Sequence, residues 1–265
     1  MIYFSPLRTK RLDVDLRELT IREAVDLAAV PPDSHEAAVT SLLKRIVKEA
    51  RGTHKHPGRW TVQERMLAVA HYIACTSEGE GNFEIGQGRF LDYLHEDVDA
   101  APEVVDVGQA CGDQWTARQI TGDEAAVMEG LCKSRLDWFA ADMAARLTLA
   151  GKDEGRPDAT ARPGEFAGWL SERITVFEAM PESDFEDLFR AYRVGLEKLH
   201  HLFRLELDET GYVAMPRKGG GADSVPARFQ VASALSALAL ELGARPDGPG
   251  DVHGPAHGDT VSAGA

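Results

Sequence analysis

Apolar and acidic residues alternate strictly over Leu12-Asp-Val-Asp-Leu16, the two-residue period of a half-buried strand. With Phe4 and Leu7 ahead of them, these residues read as an extended arm over 1–17. The spacing then lengthens to three and four. Thr20-Ile-Arg-Glu23 is a capping-box signature, in which Thr20 takes the amide three residues on and Glu23 reaches back. The helix behind it carries Ile21, Val25 and Ala28 on one face and stops at Pro31-Pro32. Ser34 is placed to cap a second helix, running through Leu42, Leu43, Ile46 and Val47 to Gly52. Thr61-Val-Gln-Glu64 repeats the capping pattern ahead of a broad buried face, Met66, Leu67, Val69, Ala70, Ile73 and Ala74. The segment 18–78 is thus expected to be a small helical unit.

Glycine becomes frequent over 79–122, and two short strands are expected at Val104–Val107 and Gln114–Ile120, turning at Cys111-Gly112-Asp113. This is a minor β or mixed insertion. Thr121-Gly-Asp-Glu124 opens a further helical segment, 123–151, through Met128, Leu131, Trp138, Phe139, Met143 and Leu147. Residues 152–164, rich in Gly, Pro and charge, read as a linker. A C-terminal helical region, 165–242, contains the clearest amphipathic run, Phe185 to Leu207, and an Ala/Leu-rich helix from Pro226 to Leu242. The residues 243–265 lack periodicity and read as a disordered tail. The fold class expected is mainly α: small helical bundles with a minor β or mixed insertion.

Charge narrows the partners. The 265 residues carry 29 basic and 43 acidic side chains, a net charge of -14, which repels nucleic-acid phosphates and anionic lipid. Residues 1–65 run against that trend with 12 basic and 9 acidic residues. No run approaches a membrane span, and the first residues, Met1-Ile-Tyr-Phe-Ser-Pro, lack a signal-peptide pattern. A cytoplasmic protein is expected. Cys75, Cys111 and Cys132 are odd in number and widely spaced, which argues against a disulfide framework or a zinc site.

Motifs with chemistry are scarce. His35-Glu36 is followed by Val39 where a zinc peptidase helix needs its second histidine. His54 and His56 share a loop without local carboxylate or thiol ligands, and His200-His201 point about 100° apart on a helix. Gly79-Glu-Gly81 and Gly86-Gln-Gly88 are too short and acidic to cradle phosphate. A cleft gathering Asp92, Glu96, His71 or His95 around a bound ion would favour an enzyme. No catalytic residue, cofactor or metal ligand is assigned, and binding is favoured over catalysis. Two apolar faces are the candidate protein-binding surfaces: Leu12, Val14 and Leu16 on the arm, and Phe189, Tyr192, Leu196 and Phe203 on the amphipathic run.

Arg17-Glu-Leu-Thr-Ile-Arg-Glu23, with the following helix ending at Val30-Pro31-Pro32, resembles the opening of tail assembly chaperones and baseplate hub assembly proteins of contractile-tailed bacteriophages. Trp60-Thr-Val-Gln-Glu-Arg65, continuing to Tyr72, is similar to their next block. The resemblance covers about residues 10–150. It implies a non-enzymatic factor that binds a tape-measure or baseplate hub protein during tail construction, with no cofactor. A permanent structural subunit of the tail or baseplate is the alternative, and an acidic enzyme the third reading.

Overall fold

The computed structural model describes residues 2–31, 33–52, 54–77, 81–95, 101–152, 155–219 and 225–243. The chain opens with β1 (Leu7–Arg8) and β2 (Leu12–Leu16), then α1 (Ile21–Ala28), α2 (His35–Ile46) and β3 (Val47–Gly52). These strands form an antiparallel sheet in the order β1-β2-β3, with Val14 opposite Ala50. The arm is therefore the middle strand of the chain's own sheet. A single 3-10 turn at Pro57–Arg59 leads into α3 (Val62–Thr76). The short hairpin β4 (Glu84–Ile85) and β5 (Gly88–Arg89) follows, then β6 (Val104–Ala110) and β7 (Asp113–Arg118). The β6–β7 turn puts Cys111 at φ 55° and Gly112 at φ 82°, the left-handed pair that a tight two-residue hairpin loop demands.

The helices α4 (Gly122–Leu131) and α5 (Arg135–Arg146) lead to β8 (Leu147–Leu149), which returns to β7 and completes the sheet β6-β7-β8. Two long helices, α6 (Pro163–Glu178) and α7 (Glu182–Leu199), precede the hairpin β9 (Arg204–Asp208) and β10 (Gly211–Met215). A 3-10 turn at Val231–Ala234 and the short α8 (Ala237–Gly243) end the described chain. No helix among the described residues is long and apolar enough to cross a membrane.

The fold is mixed α/β, not mainly helical bundles: eight helices (48% helical) stand with four sheets (21% strand) among the described residues. The excess helix expected from the sequence has one physical source. At Val47, Leu147 and His200 the chain leaves a helix with φ still near -70° (-73°, -78° and -66°) while ψ turns to 110°, 133° and 127°. No left-handed glycine or proline marks such an exit, so α2, α5 and α7 read as running on into β3, β8 and β9. The expected helix from Pro226 to Leu242 is likewise a 3-10 turn followed by α8.

One contiguous apolar cluster runs from Leu7 to Ala234, with Trp60, Trp138, Tyr93 and Phe166 fully buried. Residues 152–164, expected as a linker, contribute to it: Ala159 is buried, and the Arg156 guanidinium lies 5.0 Å from the Phe166 ring centre and 5.1 Å from that of Trp169. The tail from residue 244 on lies outside the described residues.

The block Trp60 to Arg65 is buried throughout, and its side chains fasten distant segments. Gln63 Oε1 accepts the backbone N–H groups of His201, Leu202 and Phe203 at 3.0, 3.0 and 3.1 Å. Its amide nitrogen donates to Leu199 O at 3.1 Å. Arg65 donates to Glu36 O at 2.9 Å and Thr40 Oγ1 at 2.8 Å, and lies 3.3 Å from the Glu36 carboxylate. Ser34, expected to cap α2, makes no side-chain cap bond. Glu129 of α4 takes that place, accepting the N–H groups of Glu36 and Ala37 at 2.7 and 3.1 Å.

Candidate functional site

Both apolar faces expected to dock a partner are spent on the chain's own core. Leu12, Val14 and Leu16 are the buried positions of β2. Tyr192, Leu196 and Phe203 are buried, and the half-buried Phe189 packs edge-on to Phe139 at 6.0 Å. Periodicity shows that a face is covered but not by what, and here the cover is internal. Tyr192 O–H also donates to Asp142 at 2.6 Å, where Tyr212 O–H and Arg146 Nε (2.7 Å) converge. Burial and the Asp142 charge hold both phenols far above their ordinary range. Enclosed and fully paired, this carboxylate ties α5 to α7 and β10.

The groups an enzyme reading would need are engaged by separate segments. His71 Nε2 lies 2.7 Å from Ser5 O and Asp92 accepts the Arg89 N–H at 2.9 Å, while His95 is tied through its backbone N–H to Leu202 O at 2.9 Å and its imidazole Nε2 is buried without a hydrogen bond among the described residues. Glu96 lies outside the described residues. Burial pushes the Cys132 thiol up to about 12, and burial with three aspartates raises that of Cys111, the opposite of an activated nucleophile. His56 Nδ1 accepts the Gly58 N–H at 3.2 Å and His54 turns to the cleft described next. Among the described residues no group of three or more His, Cys, Asp or Glu side chains could hold a metal ion.

Two surface features bear on function. The first is a cleft of about 470 Å³ at the paired starts of α3 and α4. Thr61 and Thr121 meet there in an isolated antiparallel bridge. Glu64 accepts the Thr61 N–H at 2.8 Å and meets Arg11 Nε at 2.9 Å. Glu124 accepts the Thr121 N–H at 2.9 Å and meets Arg156 and Arg118 at 2.8 and 3.4 Å. Burial alone would lift the Glu124 carboxyl, but Arg156 and Arg118 outweigh it and hold it below the usual range. Burial draws Arg156 down to about 10, which leaves it a cation at neutral pH. Among the described residues the lining has four arginines (Arg11, Arg59, Arg118, Arg156) and three carboxylates (Glu103, Glu124, Asp158). Sequence reasoning missed this cleft because its arginines are scattered from 11 to 156 with no local motif. The visible clue was the Thr-x-x-Glu repeat, whose two glutamates collect the guanidiniums.

The second feature is α8, which is inverted. It rests on the small residues Ala239, fully buried, and Gly243, where an added Cβ would collide with Ala28 of α1. Its leucines point away: Leu238, Leu240 and Leu242 are 56%, 38% and 58% exposed. Ile21 on the adjoining α1 is 51% exposed. Leu240 and Leu27 line a hollow of about 240 Å³ beside this ridge.

No protein-family profile, curated protein or solved structure matches the chain.

Proposed function

We propose that this protein is a non-catalytic protein-binding factor that docks its partner on the leucine ridge of α8. The observation that carries the reading is the inversion of that helix. A surface helix ordinarily turns its leucines inward, and a half-exposed leucine forgoes part of the roughly 1.5–3 kcal/mol that full burial supplies. A helix that buries Ala239 and shows Leu238 and Leu242 is shaped to be covered. The small residues beneath bring it close to α1, on which Ile21 is also exposed.

The kind of partner follows from the resemblance carried by residues 17–32 and 60–72: a tape-measure or baseplate hub protein, bound in the cytoplasm while a contractile tail is built. The test is affinity capture of the tagged chain from cells expressing its native gene neighbourhood, read by mass spectrometry. The wild-type chain is expected to retain a tail protein in stoichiometric amount. The double variant Leu238→Glu/Leu242→Glu, with unchanged circular dichroism and thermal midpoint, is expected to lose it. Recovery of the wild-type chain alone, or retention of the partner by the variant, would overturn the reading.

A further inference from the structure

We propose that the arginine-lined cleft is an oxyanion site, which takes a ligand bearing carboxylate or phosphate groups. The inference stands apart from the leucine ridge and goes beyond partner docking there. A guanidinium has five donors arranged to match an oxyanion. Arg118 spends almost none of them: its side chain is 29% exposed, and its partner is Glu124 at the long distance of 3.4 Å. Arg156 beside it is held in place by Phe166 and Trp169, so its orientation is fixed before any ligand arrives. That pre-organisation lowers the entropic cost of binding. Arg59, at the rim, meets Asp158 among the described residues and is 46% exposed.

Electrostatics favour the same chemistry. The chain as a whole carries -14, yet four guanidiniums gather at this cleft among the described residues, with Glu103, Glu124 and Asp158 in its lining and Glu64 behind Arg11. Thr61 and Thr121 also line the cleft, so the starts of two helices, 15 and 10 residues long, lie at its floor, each closed by its own glutamate. Arg11 and Arg156 are closely paired with Glu64 and Glu124 at 2.9 and 2.8 Å, which leaves Arg118, 3.4 Å from Glu124, as the wall cation with most to offer. The volume fits a small polyanion or one or two acidic side chains.

The experiment is isothermal titration of the full chain, at low ionic strength, with citrate, inorganic phosphate and a hexaglutamate peptide in separate arms. At least one is expected to bind saturably at one equivalent. Citrate or phosphate binding assigns a free anion; binding of the peptide alone assigns acidic side chains of a polypeptide. Arg118→Gln is expected to weaken binding by about tenfold or more, since a charged hydrogen-bond pair is lost. Arg118→Lys, which keeps charge but not the fork, should fall between, and Arg190→Gln, a surface control, should bind as wild type. If Arg118→Gln proves misfolded by circular dichroism, Arg59→Gln replaces it with the same expected loss. Failure of all three probes to bind, or equal binding by wild type and the folded cleft variant, overturns the proposal.

Discussion

Thr61 and Thr121 are bridged to each other, and through them two helices start from one point. The Val62 N–H donates to Ile120 O at 3.0 Å and the Gly122 N–H to Trp60 O at 2.9 Å. Each helix is closed by its own glutamate, and each glutamate meets an arginine from elsewhere in the chain. Helix capping and the gathering of positive charge are therefore one arrangement, and the cleft has a rigid floor.

Gln63 is expected to be among the costliest polar residues to remove. Gln63→Leu fills similar space but orphans three buried N–H groups, those of His201, Leu202 and Phe203. At roughly 1–3 kcal/mol for each unsatisfied donor, a loss of at least about 3 kcal/mol is expected in urea unfolding. A loss below about 1 kcal/mol would mean that water replaces the amide.

Gly122 leaves room for a neighbour. A methyl group there would collide with the guanidinium of Arg65, which is itself buried and cannot swing away. Gly122→Ala is expected to destabilise by about 1–3 kcal/mol, the usual range for overpacking. Gly195→Ala is the parallel case, its Cβ falling 2.7 Å from Val107 and 2.8 Å from Ala117. Thermal midpoints of the two variants measure both effects.

Acid should weaken the fold through its histidines. Burial, with nearby arginines, pushes His35 and His200 down to about 3, and burial also lowers His95 and His201. In the unfolded chain histidine takes its proton near pH ~6.5. Below that point the unfolded state binds more protons, so this stability is complete above about pH 6.5 and lost as pH falls. The slope is about 1.4 kcal/mol per pH unit for each such group. Glu36 and Glu129, raised by burial, act in the opposite sense and offset part of the loss. A lower thermal midpoint at pH 5 than at pH 7.5 is expected, with a shallower difference in His35→Gln. Imidazole NMR signals that still report neutral rings at pH 5 would locate the effect.

The leucine ridge makes a prediction about stability as well as binding. Leu238→Lys and Leu242→Lys remove exposed side chains, so each should change unfolding free energy by no more than about 0.5 kcal/mol. Leu196→Lys, at a buried position of α7, should be severely destabilising. Equal damage at Leu238 would show that the ridge is internal packing.

How far the sequence spoke depended on whether a feature was local. The capping boxes at Thr20 and Thr61 form as the four-residue pattern requires, and the alternation at Leu12–Leu16 is a true strand. The β6–β7 turn fell where Cys111-Gly112 pointed. What was not legible depends on distance or on ψ alone. The exits at Val47, Leu147 and His200 use backbone conformations open to any residue, so no residue type announces them. Glu129 caps α2 from 93 positions away, which no local pattern can suggest. The cleft is of the same kind, its arginines meeting only after the chain has folded.

The reach of Gln63 also bears on how the protein is born. Its acceptor waits for Phe203, 140 residues later in the chain. At a synthesis rate of about 5–20 residues per second, roughly 7–28 seconds pass on the ribosome before that bond can form. Throughout that interval α3, which is buried on nearly every side in the finished molecule, emerges without one of its principal covers. The nascent N-terminal half is thus the stage at which a cellular chaperone has most to protect.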